Sequence, residues 1–185
     1  MDLRHKPTLH GDLVTLRPVT ADDAAVLHEI MQDQEVQRLT GSTNSSDDDG
    51  APPLDVAERW YASRAEQDDR IDWAVVDNAS GEVVGEAVVN DLDPGSRSAN
   101  FRTLVGPRGR GRGLGSEAVR LVVAYALGEA GLHRLDLEVY AFNPRARRVY
   151  EKAGFVLEGT RREALLFDGE WIDSHVMGVL ARDVR

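Results

Sequence analysis

The sequence contains no cysteine. This absence excludes disulfide bonds, a thiolate nucleophile and cysteine-ligated zinc, and it fits a reducing compartment, so we expect a cytoplasmic protein. No apolar run approaches the roughly 20 residues that a membrane-spanning helix needs, so we expect no membrane association. The first residues, Met-Asp-Leu-Arg-His-Lys-Pro, lack the apolar core of a signal peptide, and we expect no secretion signal.

Positive charge is also scarce. The chain carries 22 Lys and Arg against 32 Asp and Glu, a formal net charge of −10. Such a protein repels nucleic-acid phosphates and attracts cationic partners, so we expect no nucleic-acid binding. The length of 185 residues, with 42% apolar and 29% charged residues, predicts a single globular domain over residues 1–185.

Hydrophobic periodicity and turn residues predict a mixed α/β domain without internal repeats. Predicted strands cover residues 13–17, 71–76, 82–89, 100–105, 134–140, 155–159, 164–167 and 176–180. Predicted helices cover residues 21–32, 54–67, 116–130 and 144–153, and residues 41–53 are predicted as a loop. The helix at residues 116–130 connects the strands before and after it as a crossover, so these two strands should be parallel.

The segment from Gly106 to Ala118 is the most informative part of the chain, with five glycines and three arginines in thirteen residues. Glycine lets a ligand approach the main chain closely, and the helix that follows begins with unpaired N–H groups and a partial positive charge. These features predict an anion site, such as one for phosphate or pyrophosphate. A solvated loop whose arginines only keep the chain soluble is the alternative.

Three phosphate ligands are compatible with parts of this loop. A nucleotide P-loop requires a lysine that the segment lacks. The residues from Gly113 to Ala118 match the dinucleotide pattern G-x-G-x-x-G/A, but few residues remain for the further β-α-β units of such a domain. The residues from Arg110 to Gly115 match Arg/Gln-x-x-Gly-x-Gly/Ala, a pattern for the pyrophosphate of a pantetheine cofactor. The loop alone does not choose among them.

A second motif lies about thirty residues further along, where Asn143-Pro144 opens a predicted helix that contains Tyr150 and closes at Gly154-Phe155. Together the two motifs resemble the GNAT superfamily of N-acyltransferases, in particular ribosomal-protein alanine N-acetyltransferases and spermidine N-acetyltransferases. The resemblance implies a twisted, mostly antiparallel mixed sheet with about four helices. A central parallel strand pair would splay around acyl-CoA.

The resemblance also implies the site residues. Acetyl-CoA would be the co-substrate, with no metal, and Tyr150 would be the general acid that protonates the departing thiolate. Asn100 stands where many relatives have a glutamate, so the base is left open among Glu86, which is the first candidate, Asp91 and Asp93, acting directly or through water. The implied cofactor-binding residues are Leu104, Val105, Arg110, Gly111, Arg112, Gly113, Leu114, Gly115, Ser116, Asn143, Arg147 and Tyr150.

The acceptor implied by the resemblance is a primary amine: a peptide N-terminus, a polyamine or another small amine. Acidic residues crowd the segments that form the acceptor side in this family, and they would attract a cationic amine. They are Asp47, Asp48, Asp49, Asp55, Glu58, Asp68, Asp69 and Asp72. Two alternatives remain, a non-catalytic CoA-binding module, which Asn100 favours, and an acyltransferase that uses another donor such as succinyl-CoA. A homodimer is possible.

Overall fold

A computed structural model of the chain describes residues 2–47 and 51–184. The strands are β1 (Leu9–His10), β2 (Val14–Pro18), β3 (Ile71–Asp77), β4 (Val83–Asp93), β5 (Ser98–Val105), β6 (Arg134–Tyr140), β7 (Val156–Phe167) and β8 (Glu170–Leu180). The helices are α1 (Ala24–Met31), α2 (Gln34–Thr40), α3 (Leu54–Ala62), α4 (Leu114–Leu127) and α5 (Pro144–Lys152). None of the helices in these ranges is long and apolar enough to cross a membrane.

The strands form one eight-stranded sheet in the order β1-β2-β3-β4-β5-β6-β8-β7. All neighbouring strands are antiparallel except β5 and β6, which α4 connects as a crossover. The predicted α/β class and the single parallel pair are therefore confirmed, with five helices where about four were predicted.

The parallel pair is joined only at its beginning. Ser98, Ala99 and Asn100 of β5 pair with Arg134, Leu135 and Asp136 of β6. From residue 101 on β5 and residue 137 on β6, all within the described ranges, the two strands form no further pairs. The sheet therefore splits along its middle and leaves backbone groups of both strands facing a gap.

Apolar side chains cover both faces of this sheet. On one face α4 and α5 pack against β-strand residues such as Trp73, Phe101 and Leu137 in the larger core. On the other face α1, α2 and α3 form a smaller core that Leu104 joins. Because side chains alternate along a strand, Phe101 and Leu104 point to opposite faces, and the gap between β5 and β6 is open to both layers.

Several predicted boundaries change. Helix α2 was not predicted, because its seven residues hold only two apolar side chains, Val36 and Leu39. Helix α4 begins two residues before the predicted Ser116 and ends at Leu127, three residues before its predicted end. The predicted helix at residues 54–67 ends at Ala62 and continues as a short 3-10 turn.

Candidate active site

A cavity of about 920 Å³ occupies the gap between β5 and β6. Its walls come from the separated ends of both strands, the glycine-arginine loop, α2, α3 and α5. It therefore passes through the split in the sheet and receives side chains from both helical layers. A cavity of this size and shape can hold an extended ligand together with a smaller one.

The glycine-arginine loop brings main-chain N–H groups to one end of this cavity. Gly111 and Gly113 have positive φ values of 75° and 84°, which other residue types adopt only at a cost. Gly113 is the N-cap of α4, and the first bond of the helical ladder runs from Glu117 N–H to the Gly113 carbonyl. The amides of the preceding turn therefore have no partner within the helix. Gly115 and Ser116, in that turn, line the cavity.

The arginines of this loop are held by carboxylates. Arg110 lines the cavity, and its guanidinium donates to Asp33 at 2.5 Å and to Glu35 at 2.6 Å. The Arg112 guanidinium instead donates to the buried Asp77 at 2.7 Å and is not among the cavity-lining groups. The Arg112 side chain thus fixes the loop to β3, and the pyrophosphate contact predicted for its main-chain amide stays a prediction.

Glu117 also anchors the start of α4. Its buried carboxylate accepts hydrogen bonds from the backbone N–H groups of Asp12, Leu13 and Val14 at distances of 3.2, 2.6 and 2.8 Å. A carboxylate in the first turn also interacts favourably with the helix dipole. The turn between β1 and β2 thus holds the N-terminus of α4, where the unpaired amides lie.

Leu104 and Val105 of β5 line the cavity as predicted from the family resemblance. The side chains of two other predicted residues lie outside the cavity lining. The Leu114 side chain is buried in the larger core, and the Arg147 guanidinium pairs with Glu151 one turn away on α5. Neither residue is among those that line the cavity. Only the main-chain amide of Leu114 remains available for the predicted role.

Asn143 lies at the cavity wall and caps α5. Its side-chain oxygen accepts a hydrogen bond from the Ala146 N–H at 3.1 Å. The pyrrolidine ring of Pro144 suits the first helical position, so this dipeptide starts α5 where the sequence predicted. The helix orients Tyr150, two turns later, toward the same cavity.

Tyr150 is 7% exposed and lines the cavity. Its ring packs edge-on against Phe101 and Phe155, with centroid distances of 6.3 and 5.8 Å. Burial raises the pKa of Tyr150 to about 12, so its hydroxyl keeps its proton at neutral pH. The hydroxyl forms no hydrogen bond with any residue in the described ranges and is therefore available to a ligand.

Glu86 of β4 contributes a carboxylate to the cavity although only 5% of the residue is exposed. The Tyr61 hydroxyl donates to it at 3.0 Å, and an Arg102 guanidinium nitrogen lies 3.6 Å from its other oxygen. Burial raises the pKa of the Glu86 carboxyl, and these two partners only partly oppose the change. A carboxyl whose pKa is raised is better suited to accept a proton near neutral pH than an exposed one.

Asn100, which stands at the family's usual acid position, lies outside the cavity lining. Its side-chain amide donates to the Asn90 side-chain oxygen at 3.1 Å and so joins β5 to β4. Among the described residues, no group of three or more His, Asp or Glu side chains is placed to hold a metal ion. The carboxylate that β4 and β5 bring to the cavity is that of Glu86.

Comparison with known proteins assigns this site to a family. The sequence model of the acetyltransferase (GNAT) domain matches residues 14–156. The chain belongs to the GNAT acetyltransferases. It is therefore an N-acetyltransferase of the GNAT type, and the resemblance inferred from the two motifs is confirmed.

Two GNAT relatives show how far the similarity extends. The probable N-acetyltransferase YjcK of Bacillus subtilis is 32% identical over 124 residues, covering 66% of this chain and 68% of that protein. The spermidine N(1)-acetyltransferase of Vibrio cholerae is 29% identical over 106 residues, covering 57% of this chain and 61% of that enzyme. The similarity to the spermidine N-acetyltransferase branch is thereby confirmed, and the ribosomal-protein branch stays a prediction.

A solved GNAT structure matches almost the whole chain. The crystal structure of V. cholerae spermidine N-acetyltransferase in complex with CoA and spermine has a TM-score of 0.83 at 22% identity. The match covers 94% of this chain and 98% of that one. At this level of identity the comparison establishes the GNAT fold alone.

The acidic residues predicted on the acceptor side of this GNAT site lie elsewhere. Asp72 is buried, and its carboxylate accepts two hydrogen bonds from a neighbouring arginine. Asp55 and Asp68 pair with exposed arginines at the protein surface. Asp48 and Asp49 lie outside the described residues. None of the described acids of this set lines the cavity, so the predicted acidic acceptor wall is wrong for them.

The charged residues that do line this part of the GNAT site come from strands and from the unpredicted α2. Besides Glu86, they include Glu35, Arg102 and Glu138. Arg102 and Glu138 alternate with buried residues on β5 and β6, which is the one signal that could have indicated them from sequence. Trp60 and Tyr61 of α3 both line the cavity, and Tyr61 also belongs to the smaller core.

Proposed function

We propose that this GNAT protein transfers an acetyl group from acetyl-CoA directly to a primary amine. The observation that carries the proposal is the single cavity that runs through the split sheet. It has unpaired helix amides at one end, and Tyr150 and Glu86 both line it. This arrangement provides a pyrophosphate site, a proton donor and a proton acceptor along one continuous path.

In this proposal the donor is bound mainly by backbone groups. The amides of the Arg110–Ser116 segment hold the pyrophosphate, and the end of β5 that contains Leu104 and Val105 offers backbone groups to the pantetheine arm. Asn143 contacts that arm from the start of α5. Arg112 and Leu114 contribute through the main chain, and Arg147 takes no part.

The proposed chemistry needs no covalent enzyme intermediate. Glu86 removes a proton from the ammonium group, and the amine nitrogen then attacks the thioester carbonyl carbon. The new C–N bond forms as the C–S bond breaks, and the Tyr150 hydroxyl supplies a proton to the departing sulfur. Of the two protons that nitrogen loses, one restores the Tyr150 hydroxyl and the other passes to solvent, so the products are an acetamide, CoA thiol and one proton, and both side chains return to their starting states. Holding both reactants in one cavity supplies much of the rate.

A thiol-release assay tests this function. The protein should release CoA from acetyl-CoA in proportion to the amine added, with amino acids, polyamines, aminoglycosides and peptides as the acceptor panel. Tight binding of acetyl-CoA without release for any amine would instead support a non-catalytic CoA-binding module. Faster release from succinyl-CoA than from acetyl-CoA would reassign the acyl donor.

The remaining properties inferred from the sequence stay predictions within this proposal. They are a cationic acceptor, for which the spermidine N-acetyltransferase relatives are the present support, a single domain over residues 1–185, a possible homodimer and a cytoplasmic location. An acceptor that also carries a carboxylate would be a zwitterion and would replace the cationic acceptor among these properties.

A further inference from the structure

The part of the cavity around Glu86 is bounded mainly by apolar and aromatic side chains. Those from α1, α2, α3 and the segment before α3 include Met31, Leu39, Pro52, Val56 and Trp60. Such a wall favours an apolar body on the acceptor, because burying it removes apolar surface from water.

Most carboxylates of the described cavity wall already form ion pairs with arginines. Glu35 accepts a hydrogen bond from Arg110 at 2.6 Å. Glu138 accepts from Arg161 at 2.6 Å and from the Ser174 hydroxyl at 2.9 Å. Additional ammonium groups of a long polyamine would have to compete with these arginines for the two carboxylates.

Arg102 lies beside Glu86, and its guanidinium has no close hydrogen-bond partner among the described residues, in contrast to the carboxylates of Glu35 and Glu138. Its side chain is 51% exposed, and the 3.6 Å separation from Glu86 exceeds the length of a good hydrogen bond. Its planar guanidinium therefore retains N–H donors in the fork geometry that matches a carboxylate. Arg148 and Lys152 also line the cavity, but they belong to α5, the helix that carries Tyr150 on the other face of the sheet.

An acceptor with an amine and no other charged group would fit poorly between Glu86 and Arg102. Its ammonium group, bound to Glu86, would lie beside the positive charge of Arg102. An acceptor that carries its own carboxylate removes this repulsion. The charges then alternate in sign along the row formed by Glu86, the ammonium group, the acceptor carboxylate and Arg102. Because Glu86 and Arg102 are adjacent, the two charged groups of the acceptor must also be adjacent, as they are in an α-amino acid.

We therefore infer that the acceptor is a free α-amino acid with an apolar or aromatic side chain, whose carboxylate binds Arg102 while Glu86 takes the proton from its amino group. This inference rests on the proposed acetyl transfer and specifies the substrate class of the same site.

Matched acceptors test the role of the carboxylate. We expect kcat/KM for L-phenylalanine and L-leucine to exceed that for 2-phenylethylamine and 3-methylbutylamine by about 10- to 100-fold, the effect of a charge-assisted hydrogen bond. 6-Aminohexanoate, which carries the same charges far apart, and spermidine should both be poor acceptors. A dipeptide with N-terminal phenylalanine separates a free amino acid from a peptide N-terminus and should also be poor.

The Arg102→Gln variant links this preference to one residue. The ratio of kcat/KM for L-phenylalanine to that for 2-phenylethylamine should collapse toward one, whereas Arg102→Lys should keep part of it. Because Arg102 is half exposed, both variants should fold, which acetyl-CoA affinity and circular dichroism would verify.

Transfer to simple amines or spermidine with no carboxylate preference, or a ratio that Arg102→Gln leaves unchanged, would overturn this inference and keep the proposed acetyltransferase function. Failure to acetylate any acceptor would overturn both.

Discussion

Replacing Tyr150 by phenylalanine removes one oxygen atom from the centre of the proposed site. The edge-on contacts with Phe101 and Phe155 involve the ring, which phenylalanine keeps. The hydroxyl forms no hydrogen bond within the described residues, so its loss leaves no protein group unsatisfied. The variant should therefore fold normally and report on chemistry alone.

The expected loss of kcat in Tyr150→Phe follows from two pKa values. Burial raises the pKa of Tyr150 to about 12, whereas a thiol such as that of cysteine has a pKa of about 8.5. Full proton transfer from this phenol to a free thiolate is therefore uphill by roughly 3.5 pKa units, on the order of 5 kcal/mol.

Before it transfers its proton, Tyr150 therefore stabilises the negative charge that develops on the departing sulfur by donating a hydrogen bond, an interaction of about 1.5–3 kcal/mol with a charged acceptor. We expect kcat to fall about 10- to 100-fold in Tyr150→Phe, the low end of the range for general acids.

Thiol release at saturating acetyl-CoA measures kcat, and calorimetric titration measures the acetyl-CoA dissociation constant, which should stay within about twofold. Tyr125→Phe is the matched control. Tyr125 is also buried, but its hydroxyl donates to the His5 carbonyl at 3.2 Å, outside the cavity lining. An unchanged kcat in Tyr150→Phe, or an equal loss in both variants, would refute a catalytic role for Tyr150.

Three further substitutions test other parts of the site. Glu86→Gln should lower kcat/KM about 100-fold or more and remove the acidic limb of its pH profile, with the exposed Glu58→Gln as control. Burial raises the pKa of Glu86, so the contribution of its carboxyl to the free energy of unfolding is lost as the pH rises from 4.5 through its folded pKa. The free energy of unfolding of Glu86→Gln, measured with denaturant, should not show this decrease with pH. A wild-type pH profile in that variant would remove Glu86 from the mechanism. Gly113→Ala forces alanine to a φ of 84° and should weaken acetyl-CoA binding about 5- to 30-fold, whereas Gly81→Ala, at a φ of 75° in the β3–β4 turn, should leave binding unchanged. Equal binding losses in the two glycine variants would contradict a specific role for the loop. Glu117→Gln should lower the free energy of unfolding by about 1–3 kcal/mol, since three backbone N–H groups lose a charged acceptor, and an unchanged urea midpoint would count against that anchor.

The sequence predicted the parts of the fold that depend on special backbone conformations. The turns at residues 78–81 and at Asp168-Gly169 separate strands as expected, and the crossover helix makes β5 and β6 parallel. The start of α4 was misplaced because the left-handed Gly113 already acts as the N-cap, which brings Leu114 into the first turn and buries its side chain.

The acceptor side of the site was harder to predict, because it depends on the neighbours of each acidic residue. Asp72 looks available in the sequence, but a bidentate arginine two residues earlier neutralises it. The closeness of Glu86 and Arg102 depends on the register of β4 against β5, in which Val88 pairs with Arg102. No pattern within either strand reveals that register.

The short pairing between β5 and β6 has a mechanical consequence. Three residue pairs join the two strands, so the sheet consists of two parts, β1–β5 and β6–β8, that are hydrogen-bonded to each other at one end only. A co-substrate that hydrogen-bonds to the unpaired ends of β5 and β6 would connect the two parts of the sheet. A ligand at a hundredfold excess over its dissociation constant adds about 2.7 kcal/mol to the stability of the folded state. The free energy of unfolding would then rise with the concentration of the acetyl donor.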